Sequence, residues 1–388
     1  MSKIRRVVVM IDLTWPLPHH HHVFSGIHRY ARERGNWECT IDPHADRLFE
    51  GKQRGDRPDG IIARATPLLA KGAHKARVPV VNVWLNSPTK GLPTVVHDAE
   101  ESGRMAARHL ISRAFRRFAY LGVSRDRGSK LQRDGFCEVL REAGYECSQI
   151  WVSPFQSRDR ANWQQFQSQL DAWIDTWTPP IAIFSLTDLL CRYVAEACHR
   201  RGLKIPTDVA LVGAHNEPLI CANPEPTLSS IEFGFERVGY RAAELLDSLL
   251  DGAAPPAEPI RIAPVELIVR QSTDAFAVDH PVVMSALSFI AKQAHTSISV
   301  DEVANHAATT RRTLARLFQR SLGESVHQTI TNVRLERVKR ELIETDETLK
   351  FIARRCGFRD AVHLCKVFQR EQACSPSEFR EARRRRAM

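Results

Sequence analysis

The chain has 388 residues, more than one ordinary hydrophobic core accommodates, so two or three domains are expected. Hydrophobic residues make up 43% and charged residues 26%, which is a globular composition and excludes a disordered or fibrous chain. No stretch approaches the roughly 18 consecutive apolar residues of a membrane-spanning helix, so no membrane partner is expected.

The opening run, Ile4 to Met10, meets Asp12 too soon for a secretory signal, and no small-residue cleavage site follows. A cytoplasmic location is the expectation. Nine cysteines, an odd number, show no C-x-x-C pair and no zinc spacing, so free thiols in a reducing compartment are expected. The net charge of +10 is uneven. From His280 onward there are 20 Lys/Arg and 12 Asp/Glu, a surplus of eight. A basic block on a nearly neutral body suits a polyanionic partner. The Arg383–Arg386 tail contributes to it and reads equally well as a solvated charge run.

From Arg5 to about Ser272, short β-rich runs alternate with helical patterns. Strands are expected at Arg6–Asp12, Gly60–Ala63, Pro79–Trp84, Phe118–Gly122, Ile181–Ser185 and Val209–Ala214. Helices are expected at Val23–Arg34, Glu100–Ala114, Asp134–Ala143, Trp163–Ile174, Leu189–Arg201 and Glu236–Leu250. The near-continuous apolar strands suit parallel sheets covered by helices on both faces. So long an α/β region suggests two lobes. His19–His22, four consecutive histidines, reads as a solvated or cleft-lining loop, with a metal site as the alternative. Gly252–Pro264 reads as a connection. After Asp274 the strand signal stops, and from Pro281 the pattern is helical throughout.

The helical block repeats itself. Leu314-Ala-Arg-Leu-Phe-Gln-Arg320 and Leu364-Cys-Lys-Val-Phe-Gln-Arg370 share one pattern. Each follows a short helical segment containing an apolar-Ala pair, Val303-Ala304 or Ile352-Ala353, and a break. A short helix, a turn and a longer helix are the proportions of a helix-turn-helix, here used twice. At about 100° per residue, Leu314, Leu317 and Phe318 share one side, while Arg312, Ala315, Arg316 and Gln319 share the other. In the second copy Leu364, Val367 and Phe368 point inward, and Val362, Cys365, Lys366 and Gln369 point outward, with His363 at the flank. Thr310 and Asp360 are suited to cap these helices. A helix of this size fits the major groove of B-DNA, where outward Arg or Lys reaches guanine edges or phosphates. Two on one scaffold would enter groove segments about one turn, roughly 34 Å, apart. Val326–Glu344 would set that spacing.

The segment from Pro281 to Arg384 resembles the DNA-binding domain of AraC-type transcription regulators. The resemblance rests on Ile352-Ala353, Cys356-Gly357-Phe358, Leu364, Phe368, Ser375-Pro376 and Phe379-Arg380. It implies contacts to double-stranded DNA from Thr310, Arg311, Arg312, Ala315 and Arg316 in the first unit. In the second it implies Arg359, Ala361, Val362, His363 and Lys366. Ala373 stands where that family usually has Gly. Val362 stands where a small polar residue is common, and its side chain suits a thymine methyl better than a polar base edge.

Asp12 at a strand end, the segment Val23–Tyr30, Pro58–Arg64, Ser185–Asp188, Asp208–Asn216 and Leu228–Ile231 together resemble the ligand-binding domain of LacI-type regulators and periplasmic sugar-binding proteins. A sensor of that type carrying an AraC-type C-terminus is the combination of the XylR-like xylose regulators. The resemblance implies a two-lobed α/β, periplasmic-binding-protein-like sensor over residues 1–273, a linker at 274–280, and an all-α domain with two helix-turn-helix units over 281–388. Its effector site would lie between the lobes at the strand ends. Asp12, Trp84, Asp98, Arg133, Asp188, His215 and Asn216 are the candidate ligand contacts. Related sugar binders commonly carry Asp where His215 stands, and ribose-binding relatives carry an acidic group where Trp84 stands.

These features point to a sequence-specific transcription regulator that responds to a small carbohydrate such as xylose. An activator is expected, a homodimer working with RNA polymerase, with a repressor or another effector as the alternative. An enzyme is not expected, since the chain lacks G-x-S-x-G, G-x-x-x-x-G-K-[ST] and H-E-x-x-H. No cofactor is expected. A transport binding protein would leave the C-terminal repeat without a role.

Overall fold

The computed structural model describes residues 4–14, 18–49, 57–153, 159–223, 225–274, 280–345 and 347–387. The chain divides into two compact units, Met1–Leu110 with Arg117–Thr273, and Ile111–Arg116 with Asp274–Met388. Of the expected linker at 274–280, residues 275–279 lie outside the described residues.

The first unit begins with β1 (Arg5–Met10), α1 (Pro18–Arg34), β2 (Trp37–Ile41), β3 (Gly60–Ala63), α2 (Pro67–Ala76), β4 (Val80–Asn82), β5 (Val95–His97) and α3 (Ala99–Ser112). It continues with β6 (Phe118–Val123), α4 (Arg127–Glu142), β7 (Cys147–Val152), α5 (Arg160–Ile174), β8 (Ile181–Ser185), α6 (Asp188–Arg200), β9 (Val209–Ala214), α7 (Pro218–Cys221) and β10 (Ser229–Glu232). α8 (Phe235–Leu250), β11 (Ile260–Ile262) and β12 (Glu266–Ile268) complete it.

Two main sheets form two lobes. One is four-stranded and parallel, in the order β2-β1-β3-β4. The other is six-stranded, β12-β10-β9-β8-β6-β7, parallel except for the antiparallel β12 edge. β5 and β11 pair separately. Central strands are buried along their length, as in Ile181–Ser185 and Val209–Ala214, because helices cover both faces. Val8, Met10, Ile61 and Leu69 centre one core, and Leu121, Phe166, Ile183 and Leu211 centre the other.

α8 returns to the first lobe and packs on α1, β3, β4 and β5. Its approach to α1 is unusually close. A Cβ on Gly26 would meet the Glu236 carbonyl oxygen at 1.9 Å, and one on Gly239 would meet that of Val23 at 1.9 Å. Asp247 of α8 stitches the pair together, accepting from Tyr30 Oη (2.8 Å), Arg34 Nε (2.8 Å) and Trp37 Nε1 (2.9 Å). This crossing fixes the start of α1, and with it His19 and His20.

The expected loop at His19–His22 is instead the first turns of α1. Pro18 suits the first helical position, and His20, Val23, Ile27 and Ala31 form its buried stripe. The segment read as a connection, Gly252–Pro264, contains β11.

The second unit is all-helical among its described residues: α9 (Pro281–Gln293), α10 (Val300–His306), α11 (Arg311–Leu322), α12 (Val326–Glu344), α13 (Leu349–Arg355), α14 (Ala361–Gln372) and α15 (Pro376–Ala387). It has two small cores. Val303, Leu314 and Phe318 join Ile290 in one, while Ile352, Leu364 and Phe368 join Leu335 and Val338 in the other. The second halves end differently. α11 closes on Gly323 at φ +75°, and α14 on Ala373 at φ +56°. Left-handed backbone is easy for glycine and costs an L-residue of order 1 kcal/mol. Ala373→Gly is therefore expected to raise unfolding free energy by about 1 kcal/mol, measured by chemical denaturation. A loss of stability would contradict the strain.

Candidate DNA-binding face and effector cleft

Each longer helix of the repeat is set by its cap and by its buried stripe. Thr310 accepts from Thr313 N at 3.2 Å, and Asp360 accepts from His363 N at 2.7 Å. That backbone N–H, with Arg359 beside it, holds the Asp360 carboxyl below the usual range. Burial of Leu314 and Phe318 turns Arg311, Arg312, Ala315 and Arg316 to solvent. Burial of Leu364, Val367 and Phe368 does the same for Val362 and Lys366. Val362 is 65% exposed, an unusual setting for an apolar side chain. Ala361 and His363 are half-buried, and the His363 ring packs on Phe358 at 5.6 Å. Arg311 reaches Asp301 at 3.5 Å across the first turn, and Arg359 lies beside Asp360 at 3.0 Å.

Two further arginines brace these units: Arg334, not singled out in the sequence, and Arg380, named there only as part of the Phe379-Arg380 motif. Arg334 donates to the carbonyls of Ala294 (2.9 Å) and Thr296 (2.8 Å), just past the end of α9. Arg380 donates to those of Leu342 (3.4 Å) and Glu347 (2.7 Å), around the end of α12. Each guanidinium supplies the donors that a helix C-terminus lacks. Reciprocal capping of Ser299 with Glu302, and of Ser375 with Glu378, starts α10 and α15. This device was not identified in the sequence, where its available signal is S-x-x-E in both segments.

In the first unit, the C-terminal ends of strands from both lobes converge on a cleft of about 290 Å³. Ile11 follows β1, Arg64 follows β3, Val83–Asn86 follow β4, and His97 ends β5. Across from them stand Asp126 after β6, Thr187 after β8 and His215 after β9. His19 and His20 of α1, Gln132 of α4 and Phe235 of α8 complete the wall.

Of the expected contacts, Trp84 and His215 line this cleft. Asp98 lines a neighbouring pocket and accepts from Glu101 N (3.0 Å), starting α3. Asp12 accepts from Thr14 N (2.9 Å) and Oγ1 (2.6 Å), and its carbonyl meets His20 Nδ1 at 2.8 Å. Arg133 lies in another groove, with Gln149 and Trp151. Asp188 is fully buried, accepting from Ser230 Oγ (2.5 Å) and Glu217 N (2.8 Å). Burial pushes its carboxyl up to about 7. Asn216 donates to Glu232 (3.1 Å) and accepts from Arg270 (2.7 Å). Asp188 and Asn216 thus shape the loop after β9 rather than line the cleft. That loop is strained, with φ +95° at His215 and +52° at Asn216. Ile231 O and Ser230 Oγ hold the two backbone N–H groups at 2.9 and 3.0 Å.

Arg64, Asn86, His97, Asp126, Gln132, Thr187 and Phe235 line the cleft without having been expected. Arg64 and His97 stand at strand C-termini, which was the available signal. The Arg64 guanidinium stacks 4.6 Å over Trp84. Phe235 is packed by three imidazoles, His19 at 5.0 Å, His97 at 5.1 Å and His215 at 5.7 Å. Burial pushes the imidazoles down, His19 to about 2, His215 to about 3 and His97 to about 4, so all three are neutral near pH 7. Among the described residues, no group of three or more His, Cys, Asp or Glu is arranged to hold a metal ion. Nor is any helix long and apolar enough to cross a membrane.

A two-lobed sensor with a strand-end cleft and a double helix-turn-helix define a DNA-binding transcription regulator, not an enzyme. A periplasmic binding protein-like domain family matches residues 107–273, and a helix-turn-helix domain family matches 303–382. The xylose operon regulatory protein of Haemophilus influenzae is 30% identical over 291 residues, covering 74% of each chain. That of Escherichia coli K12 is 29% identical over 370 residues, covering 92% of this chain and 93% of the relative. The solved structure of the xylose-binding transcription activator XylR superposes with a TM-score of 0.60 at 24% identity, over 98% of this chain and 99% of that one. The chain belongs to the family of xylose operon regulatory proteins, the XylR-like regulators.

Arg312→Ala is expected to cost about 1–3 kcal/mol of operator binding and to relax base preference at one position if Arg312 reads guanine. A phosphate contact would instead weaken all sequences evenly and reduce the salt slope by about one. Electrophoretic titration across salt concentrations separates the two. Unchanged binding in both respects would remove α11 from the interface.

Proposed function

We propose that the chain is a cytoplasmic, dimeric activator whose sensor closes on a small carbohydrate and whose C-terminal domain binds operator DNA. Residues 1–273 form the sensor, 274–280 the linker and 281–388 the DNA-binding domain. Thr310, Arg311, Arg312, Ala315 and Arg316, with Arg359, Ala361, Val362, His363 and Lys366, make the DNA contacts. RNA polymerase is the partner of the activated complex. The relatives' names make xylose the reference effector.

One observation carries the effector reading. Strand ends from both lobes meet at one small cavity that pairs an aromatic platform, Trp84 and Phe235, with convergent polar groups. Its volume sits at the low end of the roughly 300–1,000 Å³ range of ligand sites, the size for a monosaccharide. The aromatic faces pack against ring C–H groups, and the polar side chains meet hydroxyls. A ligand held by both lobes binds the closed arrangement better and shifts the equilibrium towards it. In a dimer that shift re-spaces the two DNA-binding domains.

Thermal unfolding of the full chain with a panel of pentoses, hexoses and their acids tests this. At least one is expected to stabilise the protein, by about 2.7 kcal/mol at a hundredfold excess over its Kd. Trp84→Ala should abolish that gain. Stabilisation by none of the panel would remove the carbohydrate reading.

A further inference from the structure

The cleft holds an uneven set of polar groups. Among the described residues its one lining carboxylate, Asp126, already accepts from Ser129 N (2.6 Å) and from the Asn86 amide (2.6 Å). Asp12, the other acidic group acting on this corner, is tied to the Thr14 turn. Against these stand the Arg64 guanidinium, held over Trp84, and the three imidazoles around Phe235. His19 and His215 lie 5.7 Å apart, and the Nδ1 atom of each is buried with no hydrogen-bond partner. Buried polar atoms without partners are costly and mark places where a ligand or water belongs. The strained backbone at His215 is a second mark, since strain of this kind persists where a side chain is held for a purpose.

A neutral sugar needs acceptors for each hydroxyl proton, and the carboxylates here are largely committed. A carboxylate ligand only accepts, up to about four hydrogen bonds, and suits a guanidinium fork and imidazole N–H groups. The remaining imidazole nitrogens can then accept from sugar hydroxyls.

We propose that the effector is a sugar acid, a monosaccharide whose carboxylate is held by Arg64 and the His19, His97 and His215 cluster. This rests on the carbohydrate reading of the same cleft and narrows it. An anion placed against these rings favours their charged forms. In the free protein burial keeps all three neutral; His215, His20, His97 and Arg64 further oppose protonation of His19, and His97 that of His215, while the acidic groups facing this corner are Asp12, acting on Arg64, and the lining Asp126. The complex then binds more protons than the free protein. Affinity therefore rises as pH falls towards the raised imidazole pKa of the complex.

D-glucuronate and D-xylose make the matched test, since they share ring and hydroxyl arrangement and differ by the carboxylate. D-xylonate supplies the open-chain acid. Calorimetric titration of the full chain should show D-glucuronate or D-xylonate binding at least roughly tenfold more tightly than D-xylose. The acid's affinity should rise from pH 8 to 5.5 with proton uptake, measured in buffers of different ionisation enthalpy. D-xylose should show no such trend. Arg64→Gln should remove the preference for the acid, and His215→Gln should reduce the proton uptake. Ligand-free thermal midpoints near that of the parent would show that both variants fold. D-xylose binding as tightly as both acids, without proton uptake, would overturn the sugar-acid inference and leave the carbohydrate reading standing. Binding of none of the three would overturn this inference, and failure of the wider sugar panel would overturn both.

Discussion

The rotation of two short helices about their own axes decides what this protein presents to DNA. Leu314 and Phe318 are fully buried, and so are Leu364 and Phe368. Each pair sits four residues apart, one turn, and so pins a single face of its helix inward. A helix pinned this way has no freedom over what it shows outside. In the first unit it shows Arg312 and Arg316, in the second Lys366 and Val362. The caps Thr310 and Asp360 fix where each helix starts, and the Arg334 and Arg380 braces fix what precedes it. The two outward faces are not alike. The first carries three exposed arginines, whereas the second mixes one lysine with an exposed valine, so under the proposed DNA contacts the first face supplies the charge and the second an apolar group suited to a base methyl.

The sensor solves a different problem, that of holding a few side chains at the seam of two sheets. The Gly26 and Gly239 crossing lets α8 lie close on α1 and so brings Phe235 to His19. On the other lobe, Asp188 sits behind the cleft and ties Ser230 and the Glu217 backbone together, while Ser230 holds Asn216 N. That buried network supports the left-handed turn at His215 and Asn216. Asp188 and Asn216 therefore shape the site without lining it.

Much of this was legible in the sequence, for definite physical reasons. The Leu-to-Phe repeat announced two helix-turn-helix units because helical periodicity survives in a short amphipathic helix. The spacer Val326–Glu344 and the caps followed from the same pattern. Buried central strands such as Ile181–Ser185 were read closely because they are apolar throughout. β2 and β7 were missed because they are sheet edges with exposed and polar positions, Glu38 and Gln149 among them. His19–His22 was read as loop because a polar run hides the helical stripe that begins at His20. The cleft was the least legible part. Its residues come from the ends of many strands and from α1, α4 and α8, so no local spacing relates Arg64 to His97 or Phe235. Asp12 and Asp188 stand at the right chain positions, yet their carboxylates serve a local turn and the loop after β9.

The most direct measurement is a hydroxyl-radical and methylation-interference footprint of the full chain on its operator. Two inward helices on one domain predict two major-groove contacts on the same face of the duplex, about one helical turn apart, for each DNA-binding domain. Substitutions in α11 and α14 should each erase one of them. A single protected segment per domain, or contacts confined to the minor groove, would contradict the account.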